Sequence, residues 1–153
     1  MNKKQSAKED RLEFVSEVNN IKFINDSRAC SPEATKWALN QINSPIILIA
    51  GGKYRNDDYG SISWLFREKV KELILIGESK DKLREIFKGS TALDETGSIE
   101  EAVDKAFCKA RPGDCVLLSP MCPSFDMFKD YLDRGERFKA AVQSLDKQKG
   151  NPE

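Results

Sequence analysis

The sequence predicts a layered α/β domain: a mixed, mostly parallel sheet with covering helices that opens with a β-hairpin. Three patterns carry that expectation. The runs Ile46-Ile47-Leu48-Ile49-Ala50, Leu73-Ile74-Leu75-Ile76-Gly77 and Cys115-Val116-Leu117-Leu118 are continuously apolar, as suits strands buried on both faces. Helical stretches separate them. Near the start, two alternating segments flank Asn19-Asn20, the spacing of a tight hairpin.

Taken in order, Leu12 to Val18 and Ile21 to Asn25 are the hairpin strands. A helix is expected over Pro32 to Gln41, with Ser31 as its cap and proline at its first position. The strand at Ile46 to Ala50 ends on Gly51-Gly52. Ser61 to Val70 is expected to be helical, followed by the strand at Leu73 and a helix over Lys80 to Lys88 after Ser79. Ile99 to Ala110 has the best-signalled start, because Ser98 and Glu101 stand at capping-box spacing, and Arg111-Pro112-Gly113 stops it. The strand Cys115 to Leu118 runs into Ser119-Pro120-Met121-Cys122-Pro123-Ser124-Phe125. There Ser124 is expected to cap a helix that begins at Phe125, leaving free N–H groups beyond the strand end where anions bind. Strand order is not legible from one sequence.

Length and composition narrow the function classes. A chain of 153 residues is one domain by length, and one of that size typically buries roughly 68–70% of its unfolded surface. Lys+Arg and Asp+Glu are both 25, for a net charge of zero, and no long block of one sign suggests nucleic-acid binding. No apolar run is long enough to span a bilayer, so a cytoplasmic chain with no membrane partner is expected. Histidine is absent, which removes Ser-His and Cys-His nucleophilic pairs and any His-bearing zinc site. Cys108 and Cys115 fall in or beside apolar patterns and are expected to be buried thiols; Cys30 and Cys122 lie in loops and are expected to be accessible. Residues 1–9 and 146–153 read as polar tails around a folded unit of 10–145.

In open α/β sheets ligands gather beyond the carboxyl ends of the strands, and three loops fall there. Asn25-Asp26-Ser27-Arg28-Ala29-Cys30-Ser31-Pro32 holds an acid, a base, hydroxyls and a helix start; taken alone it reads as a solvated turn with a serine cap. Gly51-Gly52-Lys53-Tyr54-Arg55 can admit an anion or be a simple tight turn, and it lacks the spacing of a P-loop. The third is the segment around Ser124.

The wording of these loops resembles the C-terminal domain of the Mur ligases. It is carried by Leu118-Ser119-Pro120 through Ser124-Phe125-Asp126, by Asp130-Tyr131-Leu132-Asp133-Arg134-Gly135, and by Asn25, Asp26, Ser27, Ala29 and Pro32. The likeness runs from about Arg11 to Leu145 and is strongest to the D-glutamate-adding branch. It implies a Rossmann-like fold and a part in peptidoglycan precursor synthesis and cell wall biogenesis, as the D-glutamate-binding and nucleotide-closing domain of an ATP-dependent ligase.

By the same resemblance Ser124, Phe125 and Tyr131 would receive the side-chain carboxylate of D-glutamate, and Arg28, Cys30 and Arg55 would organise the amino acid. Asp26 would bond the ribose of ATP, and Arg11 would reach its phosphates. Arg28, Cys30 and Arg55 stand where the family usually carries lysine, threonine and lysine, and Pro123 where it carries alanine. Cysteine is a poor hydroxyl substitute, and proline lacks an N–H. The N-terminal and central domains expected of such a ligase have no counterpart motifs here, so they count among its expected partners, and magnesium is expected only in the full-length enzyme. The chain is not expected to turn over alone. A stand-alone binding or interaction module that has lost catalysis is the alternative.

Overall fold

A computed structural model describes residues 11–149. The polar tail expected at 1–9 lies outside the described residues, as does 150–153. β1 (Glu13–Val18) and β2 (Ile21–Asn25) pair antiparallel, with Val18 opposite Ile21. Asn19 and Asn20 make the turn at φ 54° and 66°, the left-handed pair that a two-residue hairpin requires and that asparagine tolerates.

The remaining elements are α1 (Pro32–Asn40), β3 (Ile46–Gly51), a 3₁₀ turn (Tyr59–Ile62) leading into α2 (Ser63–Lys69), β4 (Val70–Ile76), α3 (Lys80–Phe87), β5 (Ala92–Glu95), α4 (Ile99–Lys109), β6 (Cys115–Leu118) and α5 (Tyr131–Lys149). The six strands lie in the order β1-β2-β6-β3-β4-β5, and every pair but the hairpin is parallel. The mixed, mostly parallel Rossmann-like sheet with its opening hairpin is therefore as expected. β5 has no counterpart in the sequence reading. It is short and half-buried at the sheet edge, and its Ala-Leu-Asp-Glu wording carries little strand propensity.

Alternation along each strand sorts the core into two layers. Leu48, Ala50, Leu73, Leu75 and Leu117 face α1, the 3₁₀ turn, α2 and α3. Ile47, Ile49, Ile74, Ile76, Val116 and Leu118 face α4 and α5. Both faces are covered, so both parities of each strand must be apolar.

Local signals were obeyed where the partner is local. The Ser31 hydroxyl accepts from Ala34 N, and the Ser98 hydroxyl from Glu101 N at 3.1 Å. Glu101 returns its carboxylate to Gly97 N at 3.0 Å, one residue further upstream than a capping box predicts. Ser79 does not cap α3. Its hydroxyl accepts from Gly52 N at 3.1 Å, drawn across to the neighbouring loop.

Two corrections concern the last helix. No helix begins at Phe125: the segment turns there, with Met127 N and Phe128 N both donating to the Ser124 carbonyl. The cap is Asp130, whose Oδ1 accepts from Asp133 N at 2.8 Å while Asp133 Oδ2 accepts from Lys129 N at 3.1 Å. An Asp-Asp exchange thus starts α5 at Tyr131, in preference to the serine upstream. At its other end α5 continues through 146–149, part of the segment expected to be a tail. Once nucleated, a helix gains one bond for each residue added.

Candidate functional site

The parallel strands place the ends of β2, β6, β3 and β4 on one edge, where Asn25 pairs with Leu118 and Gly51 with Ile76. Backbone bonds stitch the loops that leave it. Asp26 N donates to Leu118 O at 2.7 Å, Met121 N to Ala29 O at 3.0 Å, Gly51 N to Pro120 O at 2.9 Å and Lys53 N to Pro123 O at 2.9 Å. The three loops singled out above therefore form one surface.

Close approach explains the glycines there. A Cβ on Gly51, at φ +120°, would lie 2.1 Å from Ile76 O, and one on Gly77, at φ +80°, 2.6 Å from Asp126 Oδ2. The Asp126 Oδ2 accepts from Glu78 N at 2.8 Å, whereas its Oδ1 is buried with no hydrogen-bond partner among the described residues.

The two residues assigned to the nucleotide are bound to each other. Arg11 Nε donates to Asp26 Oδ1 at 2.6 Å and Arg11 Nη2 to Asp26 Oδ2 at 3.2 Å, with a further bond to Ala34 O at 3.1 Å. The Arg11 guanidinium also lies 4.6 Å over the Trp37 ring. Asp26 is wholly buried and takes a bond from the Ser119 hydroxyl at 2.9 Å, which in turn lies 3.0 Å from Thr35 Oγ1. A ribose can reach Asp26 only if Arg11 moves.

Four of the residues assigned to the amino acid meet as two pairs. Arg28 lies 5.7 Å over the Tyr131 ring, with Nη1 3.5 Å from its hydroxyl. Arg55 Nη2 donates to Cys30 O at 2.8 Å, and Arg55 Nε pairs with Asp57 at 3.1 Å. Arg28 and Tyr131 line a cleft of about 210 Å³ with Asn25, Ser27, Gly135 and Lys139. That cleft does not include Ser124, which is buried, or Arg55. Phe125 is 71% exposed.

One residue that the sequence reading did not single out holds these pieces together. Arg134 is fully buried, with Nε donating to Ser27 Oγ at 2.9 Å, Nη1 to Cys122 O at 2.9 Å, and Nη2 to Ser27 O at 2.8 Å and to Cys30 Sγ at 3.5 Å. Burial pulls its pKa below the usual arginine value. A charge early in a helix ordinarily reads as solvated; the only signal for burial was Gly135 beside it. A Cβ on Gly135 would come within 3.0 Å of Asn25 Nδ2, so glycine lets α5 approach the β2 loop.

The cysteines are corrected in two places. Cys108 is exposed, because Ile99, Ala102, Val103 and Ala106 make the inward stripe of α4 and position 108 falls outside it. Cys122, expected to be accessible, is buried within reach of the Tyr59 hydroxyl and Ser79 Oγ, both 3.7 Å away. Burial pushes its pKa up, and pushes that of Cys115 up to about 12. Among the described residues no three His, Cys, Asp or Glu side chains gather as a metal site, and no helix is long and apolar enough to cross a membrane.

Comparison with known proteins follows the same lines. The family model described as Mur ligase, glutamate ligase domain, matches residues 10–122. Over 137 residues the chain is 44% identical to the UDP-N-acetylmuramoylalanine–D-glutamate ligase of Chlorobaculum parvum, covering 90% of this chain and 29% of that protein. It is 43% identical over 141 residues to the ligase of the same name from Thermoanaerobacter sp. strain X514, covering 90% and 31%. The chain thus spans about 30% of the length of the curated relatives it matches. Among solved structures, E. coli FolC in complex with ADP aligns with TM-score 0.59 at 16% identity, over 92% of this chain and 32% of that one. The UDP-N-acetylmuramate-alanine ligase MurC of Thermotoga maritima aligns with TM-score 0.56 at 16% identity, over 88% and 30%.

Proposed function

The chain belongs to the Mur ligase glutamate ligase domain family, and from that premise we propose that it is the amino-acid-binding and nucleotide-closing domain of a cytoplasmic ATP-dependent ligase that adds D-glutamate to a peptidoglycan precursor. The observation that carries this is that Arg134 bonds Cys30 directly, and through Cys30 and Ser27 is linked to Arg55 and to Tyr131 with its neighbour Arg28, at the carboxyl edge of the sheet. Two guanidinium groups at one sheet edge, Arg28 in the cleft and Arg55 beside Cys30, suit a ligand with two carboxylates. The names of the relatives supply D-glutamate as that ligand.

ATP would be shared with a central domain supplied from elsewhere, Arg11 facing phosphate and Asp26 the ribose once their ion pair opens. Magnesium ligands would come from that other domain as well. Amide formation then needs the acyl phosphate and the amine held in line, which is positioning and charge neutralisation across a domain interface. This chain supplies one side of it.

The test is reassembly. Joined to the N-terminal and central domains of a close relative, the chain should restore ATP-dependent addition of D-glutamate. Ser124→Ala should then raise KM for the amino acid about tenfold or more while leaving KM for ATP nearly unchanged, since it removes a hydrogen bond to a charged group. An unchanged amino-acid KM with an altered ATP KM would reverse the assignment.

The second reading, a module retired from catalysis, is favoured by one feature. Arg55 is held by Asp57 and the Cys30 carbonyl, and the cleft that Arg28 lines includes neither Arg55 nor Ser124. Reverting Arg28→Lys, Cys30→Thr and Arg55→Lys in the reassembled enzyme separates the two. Activity kept or raised supports the ligase; a reassembled enzyme inactive with and without the reversions supports the module.

A further inference from the structure

Arg134 carries its charge into a site where it has no exposure; the Asp126 carboxylate acts on it through space, but among the described residues its hydrogen-bond acceptors include no carboxylate. Its acceptors are two carbonyls, a hydroxyl and a thiol. Such a charge is costly to bury, and an apolar side chain of similar volume would serve the core as well or better. What an apolar side chain cannot do is span. The planar fork reaches Ser27 in the loop after β2 and Cys122 in the loop after β6 from a single residue on α5. A lysine ammonium is a point and cannot meet both in their present places.

The fork also continues outward. Ser27 Oγ, which accepts from Arg134 Nε at 2.9 Å, donates to Tyr131 O at 2.7 Å. Cys30, 3.5 Å from Arg134 Nη2, offers its carbonyl to Arg55. Cys122, whose carbonyl takes Arg134 Nη1, is followed by Pro123 and Ser124. Gly52 is shaped to the same group: a Cβ there would stand 3.3 Å from Arg134 Nη1 and 2.4 Å from Pro123 O.

We propose that Arg134 is a positioning residue that sets the spacing between the β2 and β6 loops and thereby the affinity of this edge for a small dicarboxylic amino acid. It touches no ligand itself. The part concerning affinity rests on the function proposed above, whereas the clamp between the loops stands on the contacts alone.

The whole chain can be tested as Arg134→Lys, and as Ser27→Ala, which removes the acceptor for Arg134 Nε together with the bond from Ser27 Oγ to Tyr131 O and covers the case in which the lysine variant does not fold. Two readouts are taken on each. The first is native-state alkylation followed by mass spectrometry, comparing Cys122 beneath the clamp with Cys115 inside β6. The second is a D-glutamate titration followed by the backbone NMR signals of Gly51, Gly52 and Ser124.

In the variants Cys122 should label about tenfold faster or more with Cys115 unchanged, because local opening exposes one thiol and not the other. D-glutamate affinity should fall by a similar factor, and in a third variant, Arg134→Ala, added methylguanidinium should recover part of it. Equal acceleration at both cysteines, or none at either, overturns the clamp. A wild-type chain indifferent to D-glutamate overturns the functional reading and with it the affinity claim, while the Cys122 to Cys115 ratio still decides the clamp.

Discussion

Arg11→Met is expected to cost about 2 kcal/mol, and the figure follows from what Asp26 loses. Asp26 is wholly buried, and Arg11 supplies two of its hydrogen bonds, leaving the Ser119 hydroxyl at 2.9 Å and Leu12 N at 3.3 Å. Removing one partner of a fully buried pair costs roughly 3–5 kcal/mol, because a charge is left uncompensated. The Arg11 side chain, however, is 23% exposed, so water enters where the guanidinium was and the loss drops toward the roughly 1.5–3 kcal/mol of a hydrogen bond to a charged group. Methionine keeps an apolar stem against Trp37.

For a domain of this length 2 kcal/mol corresponds to a fall in Tm of about 4–8 °C, readable by calorimetry. Asp26→Asn supplies the internal check. Alone it breaks the pair from the other side, but in the Arg11→Met background it removes the stranded charge, so the double variant should be more stable than the sum of the singles by about 1 kcal/mol or more. A Tm for Arg11→Met within about 1 °C of wild type, or strict additivity, would show that the pair is not closed in solution. It would also remove the need for Arg11 to leave Asp26 before a nucleotide can enter.

Asp130→Ala should cost about 1 kcal/mol by uncapping α5, whereas Ser124→Ala should leave helix content unchanged by circular dichroism; the reverse result would put the helix start back at Phe125. Gly51→Ala should lower the denaturation midpoint sharply or prevent folding, since its Cβ would meet the β4 backbone at Ile76 O, 2.1 Å away, and backbone cannot step aside. Stability should decline as pH rises from about 9 toward about 12, because the buried Cys115 thiol keeps its proton in the folded chain while the unfolded chain gives it up; Cys115→Val should flatten that decline by on the order of 1.4 kcal/mol per pH unit, and an unaltered alkaline slope in urea titrations would contradict it.

What was legible in the sequence was whatever depends on neighbours. Apolar runs at residues 46–50, 73–76 and 115–118 mean strands covered twice, because nothing else buries both parities of a strand. Asn19-Asn20 means a tight hairpin, and Ser31 and Ser98 mean helix starts. Each is a contact between residues no more than four apart. The edge on which the loops gather was legible too, since parallel strands bring their carboxyl ends to one side. One misreading came from a distant partner, since Ser79, read as a cap, instead serves Gly52. The other was local: Asp130 caps the last helix through Asp133 N, and Ser124, read as the cap, does not.

By itself, then, the sequence determined the class of fold, most of its elements and the loops that carry the candidate site. The tertiary structure alone decided the strand order, the pairing of Arg11 with Asp26, and the burial of Arg134 against Ser27 and Cys122. The physical reason is common to all three. A hydrogen bond or ion pair across the sheet edge joins residues that the chain separates by 12 to 107 positions, so its energy depends on which strands become neighbours. No local propensity records that choice, because it is made by the packing of both apolar layers at once.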